Sequence, residues 1–158
     1  MRLVIQRVRQ ATVRVAEQTI AQIGPGLLIL VGIGRQDDVA QAELLADKCV
    51  NLRIFADEAG KLNRSLLGSG GEILAVSQFT LYGNYRRGRR PNFTGAAAAE
   101  LARPLFEHFV RALRAAGAPV QTGAFGQTMQ VSLLNDGPVT LLLDSAELQR
   151  RKGQATIS

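Results

Sequence analysis

The sequence predicts a single mixed α/β domain. Short apolar runs rich in β-branched residues recur along the chain, and two longer segments place apolar residues at spacings of three and four. The two kinds follow one another without regular βα alternation, so a simple doubly wound parallel sheet is not expected. At 158 residues with 46% hydrophobic content, the chain is long enough to bury a substantial core as one domain.

Residues 1–8 and 11–15 read as two strands and 19–23 as a third, with Arg2, Gln6 and Arg14 marking a face turned to water. Gly24-Pro25-Gly26 is a turn, and residues 27–33 form a continuous apolar run of the kind that fills a central strand. Gly24, Gly26, Gly32 and Gly34 fit no phosphate-binding spacing and read as turn and strand-end glycines. Asp37 or Asp38 caps a helix running to about residue 52. Val39, Ala42, Leu45, Cys49 and Leu52 share one face of it, which places Cys49 in the core.

Residues 57–71 read as a polar loop, 73–81 as a strand and 84–95 as a second loop. A second helix starts near residue 97 or 103 and ends near 116. It buries Leu105, Phe106, Phe109, Val110 and Leu113 and turns His108, Arg111 and Arg114 outward. Pro104 argues for a late start or a break, because proline fits a first turn only. Residues 120–123, 127–134 and 139–143 are strands. The Asn135-Asp136-Gly137-Pro138-Val139-Thr140 stretch reads as the connection between the last two, and Asp136 is suited to orient it as an Asx-turn. The residues after Asp144, with Arg150-Arg151-Lys152, read as a frayed basic tail.

Composition excludes several classes of function. No apolar run approaches the roughly 20 residues needed to cross a bilayer, and residues 1–8 are too polar for a signal-peptide core, which makes the cytoplasm the expected compartment. The single Cys49 excludes an internal disulfide, and with the single His108 it leaves no metal-ligand cluster or cofactor site to expect. A net charge of +6 and a sequence pI near 10.4 suit a polyanionic partner such as nucleic acid. Arg86, Arg87, Arg89 and Arg90, interleaved with Tyr82, Tyr85 and Phe93, suit phosphates and single-stranded ends; the same residues also fit a merely solvated loop.

Ser77-Gln78-Phe79-Thr80-Leu81 and Asn135-Asp136-Gly137-Pro138-Val139-Thr140 resemble the two signature motifs of the D-aminoacyl-tRNA deacylases, homodimeric editing enzymes. The similarity extends to residues 27–32, 52–55, 88–91 and 122–126 and runs in order from residue 1 to about residue 144, leaving 145–158 as the tail. The resemblance implies a three-layer β/β/α sandwich assembled as a homodimer, with aminoacyl-tRNA as substrate and partner. It implies that Ser77, Gln78, Phe79 and Thr80 line the site of the ester carbonyl and terminal adenosine, and that Phe125 packs on the adenine with Met129 nearby. It further implies that Gly137-Pro138 is a cis peptide that enters the partner's pocket, holds the substrate's amino group and excludes L side chains. Asn84 stands where this family often has an acid.

The residues themselves show no Ser/His/Asp set and no reactive Cys/His pair, so an ester hydrolase of this composition must rely on backbone N–H donors, polar side chains and the substrate's own groups. Thr80 is the one candidate nucleophile, and its alternative role is to position water or substrate. Two other functions fit the same residues. One is a non-catalytic RNA-binding module using the basic loop and Phe125, and the other is a plain esterase acting through Thr80.

Overall fold

The computed structural model describes residues 1–153. In chain order the elements are β1 (Arg2–Val15), β2 (Gln18–Ile23), β3 (Gly26–Gly32), α1 (Val39–Asn51), β4 (Phe55–Ala56) and β5 (Leu62–Arg64). There follow α2 (Leu66–Ser69), β6 (Glu72–Ser77), a 3₁₀ turn (Phe79–Tyr82), α3 (Ala99–Ala115), β7 (Val120–Thr122), β8 (Gln130–Asp144) and α4 (Ser145–Gly153). The fold is mixed α/β, as expected, with antiparallel and parallel pairs in one sheet of order β2-β1-β3-β6-β7 and β8 paired to β1.

Residues 1–8 and 11–15 form one strand, not two. β1 pairs through its first half with β3 and through its second with β2, while β8 runs antiparallel along almost its whole length. β3 and β6 are parallel neighbours at the centre, and their near-complete apolarity follows from burial on both faces. Leu27, Ile29, Ile73 and Ala75 face α1 and α3 in the larger core, with Leu45, Phe106, Phe109 and Leu113 opposite. Leu28, Leu74 and Val76 face the other way and pack with Val13, Ala21 and Ile23 from β1 and β2.

The helices follow from their ends as well as their stripes. Asp38 caps α1, accepting the Gln41 N–H at 3.1 Å while the Gln41 side chain accepts the Asp38 N–H, a reciprocal capping box. α3 begins at Ala99, with Pro104 inside it. The proline removes only the bond to the Glu100 carbonyl, and that residue is exposed, so water can satisfy the freed oxygen. His108 sits outside on α3, its Nε2 3.0 Å from Glu43 Oε1 of α1.

Several expected loops are structured. Residues 57–71 include one strand of the β4–β5 hairpin and the short helix α2, the latter capped by Ser65 and closed by Gly70 at φ +71°. The strand expected over 73–81 stops at Ser77, where the chain turns into 3₁₀ conformation, and the one expected from 127 begins at Gln130. The frayed tail is corrected for residues 145–153, which are helical. Ser145 is buried and Leu148 packs on the core. The side chains of Arg150, Arg151 and Lys152, and residues 154–158 entirely, lie outside the described residues.

The largest correction concerns residues 135–140. They do not connect two strands that pair with each other; they lie within β8, and both flanking runs pair with β1. Val8 pairs with Asn135 and Gln6 with Thr140, so residues 136–139 stand opposite Arg7 alone. The chain leaves the ladder, protrudes and returns in the same direction. The Asn135 side chain closes the gap, donating to the Arg7 carbonyl at 2.9 Å and the Val139 carbonyl at 3.1 Å in place of lost ladder bonds. Asp136 forms ion pairs with Arg7 and Arg9 at 3.2 and 3.0 Å instead of an Asx-turn.

Cys49 has no exposed surface and packs among Leu45, Val50 and their neighbours, as its place in the α1 stripe predicts. Burial pushes its thiol well above the ordinary value of about 8.5. Because the group loses its proton only far above that range, it carries no thiolate at pH 8. Native protein at pH 8 should therefore resist iodoacetamide and be labelled fully in guanidinium, as read by intact mass. Native labelling at the denatured rate would contradict the placement.

Candidate active site

β3 and β6 run parallel and end together, and a cavity of about 480 Å³ opens at their carboxyl ends. Crevices at the carboxyl ends of adjacent parallel strands are favoured ligand sites, since the chain departs there and leaves backbone and loops to shape a pocket. The cavity floor is Val31, Ile33 and Val76; Ser77, Gln78 and Phe79 form one wall, the start of α3 another, and residues 125–129 a third. None of the residues lining it carries an ionisable side chain.

The strand-to-turn transition explains the Gln78 wall. The Gln78 N–H is taken by the Val31 carbonyl at 2.7 Å, the last bond of the β3–β6 register. Beyond it the chain tightens into the 3₁₀ turn, whose internal bonds run from residues 81 to 78 and 83 to 80. The N–H groups of Phe79 and Thr80 begin this turn, and the first donors of a helical turn have no acceptor within it. Among the described residues nothing else accepts them. The Gln78 amide donates to Thr80 Oγ1, and Phe79, 58% exposed, meets Phe93 edge-on with ring centroids 5.1 Å apart. Thr80 is exposed and lies beyond the cavity lining.

Phe125 lies in a loop between Gly123 and Gly126 and is half-buried. Its ring packs 6.0 Å from Phe106, while the Arg103 guanidinium sits 4.8 Å from its centroid on the outside. Gly123 serves close packing, and Gly126 serves the left-handed backbone of the loop. A Cβ on Gly123 would stand 2.7 Å from the Met129 sulfur, and Gly126 adopts φ +76°. Met129 is fixed by the Ala124 N–H, which donates to its sulfur at 3.3 Å. Ser77, Gln78, Phe79, Phe125 and Met129 therefore meet around one cavity, with Thr80 joined through Gln78.

Gly137 and Pro138 do not join them within the chain. Their partner residue Arg7 pairs with Leu27, and Leu27 with Ile73, so they stand level with the beginning of β6 while the cavity lies at its end. The Gly137-Pro138 peptide is cis, and both residues are exposed. Gly137 has φ +122°, and a Cβ there would approach Arg7 Nη2 and the Val139 nitrogen to 3.0 Å. Arg7 grips the protrusion from below: its Nε donates to the Asp136 carbonyl at 3.2 Å and its Nη1 to the Ile54 carbonyl at 2.6 Å.

Arg7 and Arg103 are residues that reading the sequence alone did not single out, and Asn135, quoted within the second motif, was given no role of its own. Arg7 left a signal: alternation from Leu3 and Ile5 puts residue 7 on the inner face, where a cation needs built partners. Arg103 left none, because its pairing with Phe125 joins a helix to a distant loop. Arg86, Arg87, Arg89 and Arg90 are all exposed on a loop closed by reciprocal Asn84 and Asn92 backbone bonds of 2.8 and 2.9 Å. None has an acidic partner among the described residues.

The sequence profile of a family described as D-Tyr-tRNA(Tyr) deacylase matches residues 4–144. A D-aminoacyl-tRNA deacylase of Roseiflexus sp. (strain RS-1) is 58% identical, covering 98% of this chain and 99% of its own. Another from Chloroflexus aurantiacus is 58% identical, covering 97% of each. Among solved structures, one named c-Myc DNA Unwinding Element Binding Protein superposes with a TM-score of 0.87 at 40% identity, over 91% of this chain and 98% of that one. A probable eukaryotic D-amino acid tRNA deacylase shares the fold with a TM-score of 0.78 at 18% identity, over 90% and 98%. A family profile spanning most of the chain, with relatives more than half identical along nearly all of it, shows that the chain belongs to the D-Tyr-tRNA(Tyr) deacylase family and is a D-aminoacyl-tRNA deacylase, a hydrolase of the aminoacyl ester.

Proposed function

We propose that the cavity beside Gln78 takes the aminoacylated 3′-terminal adenosine, and that hydrolysis proceeds there without a side-chain nucleophile. The observation carrying this reading is the cavity's lining, which offers polar and apolar groups but no ionisable one. An aminoacyl ester is already activated and has a vicinal hydroxyl. Donors aimed at the developing oxyanion are worth about 10²–10³ each in rate, so a preorganised pocket suffices. The unengaged N–H groups of Phe79 and Thr80 are the oxyanion donors, and the Gln78 amide is a further donor beside them. Ser77 and Thr80 position substrate or water, and Phe125 and Met129 form the wall for the adenine. The 2′-hydroxyl of the substrate positions or activates the attacking water.

In this reading the enzyme works as a homodimer in the cytoplasm, with strands and helices in a three-layer sandwich. β8 supports the assembly. Its outer edge has no partner strand among the described residues, and Leu133, Leu134 and Leu142 are 37%, 55% and 80% exposed. A two-fold contact presents each copy's Gly137-Pro138 to the other. The protrusion's carbonyls hold the substrate's α-amino group, and its backbone occupies the volume an L side chain would need. Two cores on opposite faces of β3 and β6 support the layering.

Steric rejection makes a specific demand, because glycine has no side chain to clash. Purified enzyme should hydrolyse D-Tyr-tRNA and Gly-tRNA while sparing L-Ala-tRNA and L-Tyr-tRNA, measured as release of labelled amino acid. Rejection of Gly-tRNA together with L-Ala-tRNA would mean that chirality is read by attraction to a D side chain.

The chemistry makes a second. Thr80→Ala should keep kcat within about one to two orders of magnitude, since it removes a positioning contact. A terminal 2′-deoxyadenosine carrying the amino acid on its 3′-oxygen should lose far more in kcat than in binding at saturating concentration. An aminoacyl-Thr80 adduct in the mass spectrum would replace this mechanism with the covalent one.

The basic loop makes a third. Arg86, Arg87, Arg89 and Arg90 contact phosphates of the tRNA, so replacing each with alanine should change the log–log salt slope of tRNA binding by roughly 0.7–0.9. An unchanged slope in the fourfold variant would leave them as solvated charges.

A further inference from the structure

The turn bearing Phe79 and Thr80 is anchored from the side away from the cavity. Its last residue, Tyr82, is half-buried, and its hydroxyl donates to Asp37 Oδ2 at 3.1 Å. The same oxygen accepts the Gly34 N–H at 2.6 Å, and the Met1 nitrogen donates to Oδ1. Arg2 covers the ring with its guanidinium carbon 4.5 Å from the centroid. From there it donates to the Leu81 carbonyl at 3.2 Å and to Asp144 at 3.0 Å. Tyr82 is therefore held at its hydroxyl and across its face, and the residue before it is held by its carbonyl. The fit is close: a Cβ on Gly34 would lie 2.7 Å from the phenol oxygen. None of Asp37, Tyr82 and Arg2 lines the cavity.

We infer that Asp37, Tyr82 and Arg2 are positioning residues that set where the Phe79 and Thr80 N–H groups point. A four-residue 3₁₀ turn has poor internal bonding and no stability of its own, so its place is dictated by what it is tied to. Oxyanion donors act only at the correct spot, and a displacement of about 1 Å can cost about a hundredfold in rate. The anchor suits that task. Asp37 accepts a charge-assisted bond, and burial together with the Asp37 charge pushes the Tyr82 phenol upward, so it stays a donor at working pH. This inference rests on the reading of the turn as the oxyanion site.

Tyr82→Phe tests it by deleting one hydroxyl while leaving the ring beneath Arg2. Arg2→Ala is the second variant, safe for folding because its side chain is 46% exposed. Both are made in the full chain and assayed with D-Tyr-tRNA, alongside hydrogen exchange of peptides spanning 78–83 and, as control, α3. The expected result is a fall in kcat of about ten- to hundredfold, KM within threefold, faster exchange at 79–82 and unchanged exchange in α3. Three results would overturn the inference. Unchanged exchange at the turn would mean that these residues do not anchor it. Faster exchange throughout the domain would make their role one of general stability. A loosened turn with undiminished kcat would show that the turn is not the oxyanion site, a failure of the underlying reading rather than of the anchor.

Discussion

The ladder between β1 and β8 is the constraint on which the rest of the molecule depends. β1 is bonded on both edges: β3 and then β2 lie on one side, while β8 occupies the other nearly throughout. That arrangement lets one strand belong to two packing regions. Its first half supplies Leu3 and Ile5 to the core beneath the helices, and its second supplies Ala11 and Val13 to the core on the opposite face of β3 and β6. The central parallel pair is thereby buried on both sides, and its ends are free to form a cavity.

On the reading proposed for it, the cavity is a hydrolytic site built without titrating groups. His108 pairs with Glu43 on the helical exterior and Cys49 is sealed in the core, so neither reaches it. What lies at its wall is backbone leaving a strand, a glutamine amide and two aromatic rings. Fixed dipoles of this kind need no reorganisation when charge develops, which is the physical basis for their effectiveness in a partly dry pocket. A site of that kind would depend on placement more than on reactivity.

Much of the fold was legible because burial writes itself into residue pattern. The apolar run over 27–33 became β3, and the stripe expected from Val39 to Leu52 became α1 with Ala42, Leu45 and Cys49 buried, although Val39 in its first turn is exposed. Misreadings occurred where a distant partner decides the outcome. Phe79, Thr80 and Tyr82 are good strand formers, yet the chain turns there because β3 ends and offers nothing further to pair with. Asn135 to Thr140 has turn chemistry in plain view, but whether a turn reverses a strand or merely protrudes from it depends on register with β1, more than a hundred residues away. For the site, Gln78, Phe79, Phe125 and Met129 came to notice through family resemblance. Nothing in their spacing announces a shared cavity, and Arg103 and Asn135 act through contacts that local pattern does not encode.

The pairing of Arg2 with Asp144 across 142 positions also sets the order of events during synthesis. β1 is made well before the strand that covers one whole edge of it, so until then β1 can bond only to β2 and β3. Contacts of such separation slow folding, because chain entropy is lost before they form. Until β8 is made the nascent chain therefore exposes a long unpaired strand edge, a feature prone to join with another chain. Arg2, Arg7, Arg9 and Arg14 are spread along that strand. Like charges on such edges repel one another, which opposes pairing between two copies of an unpaired strand.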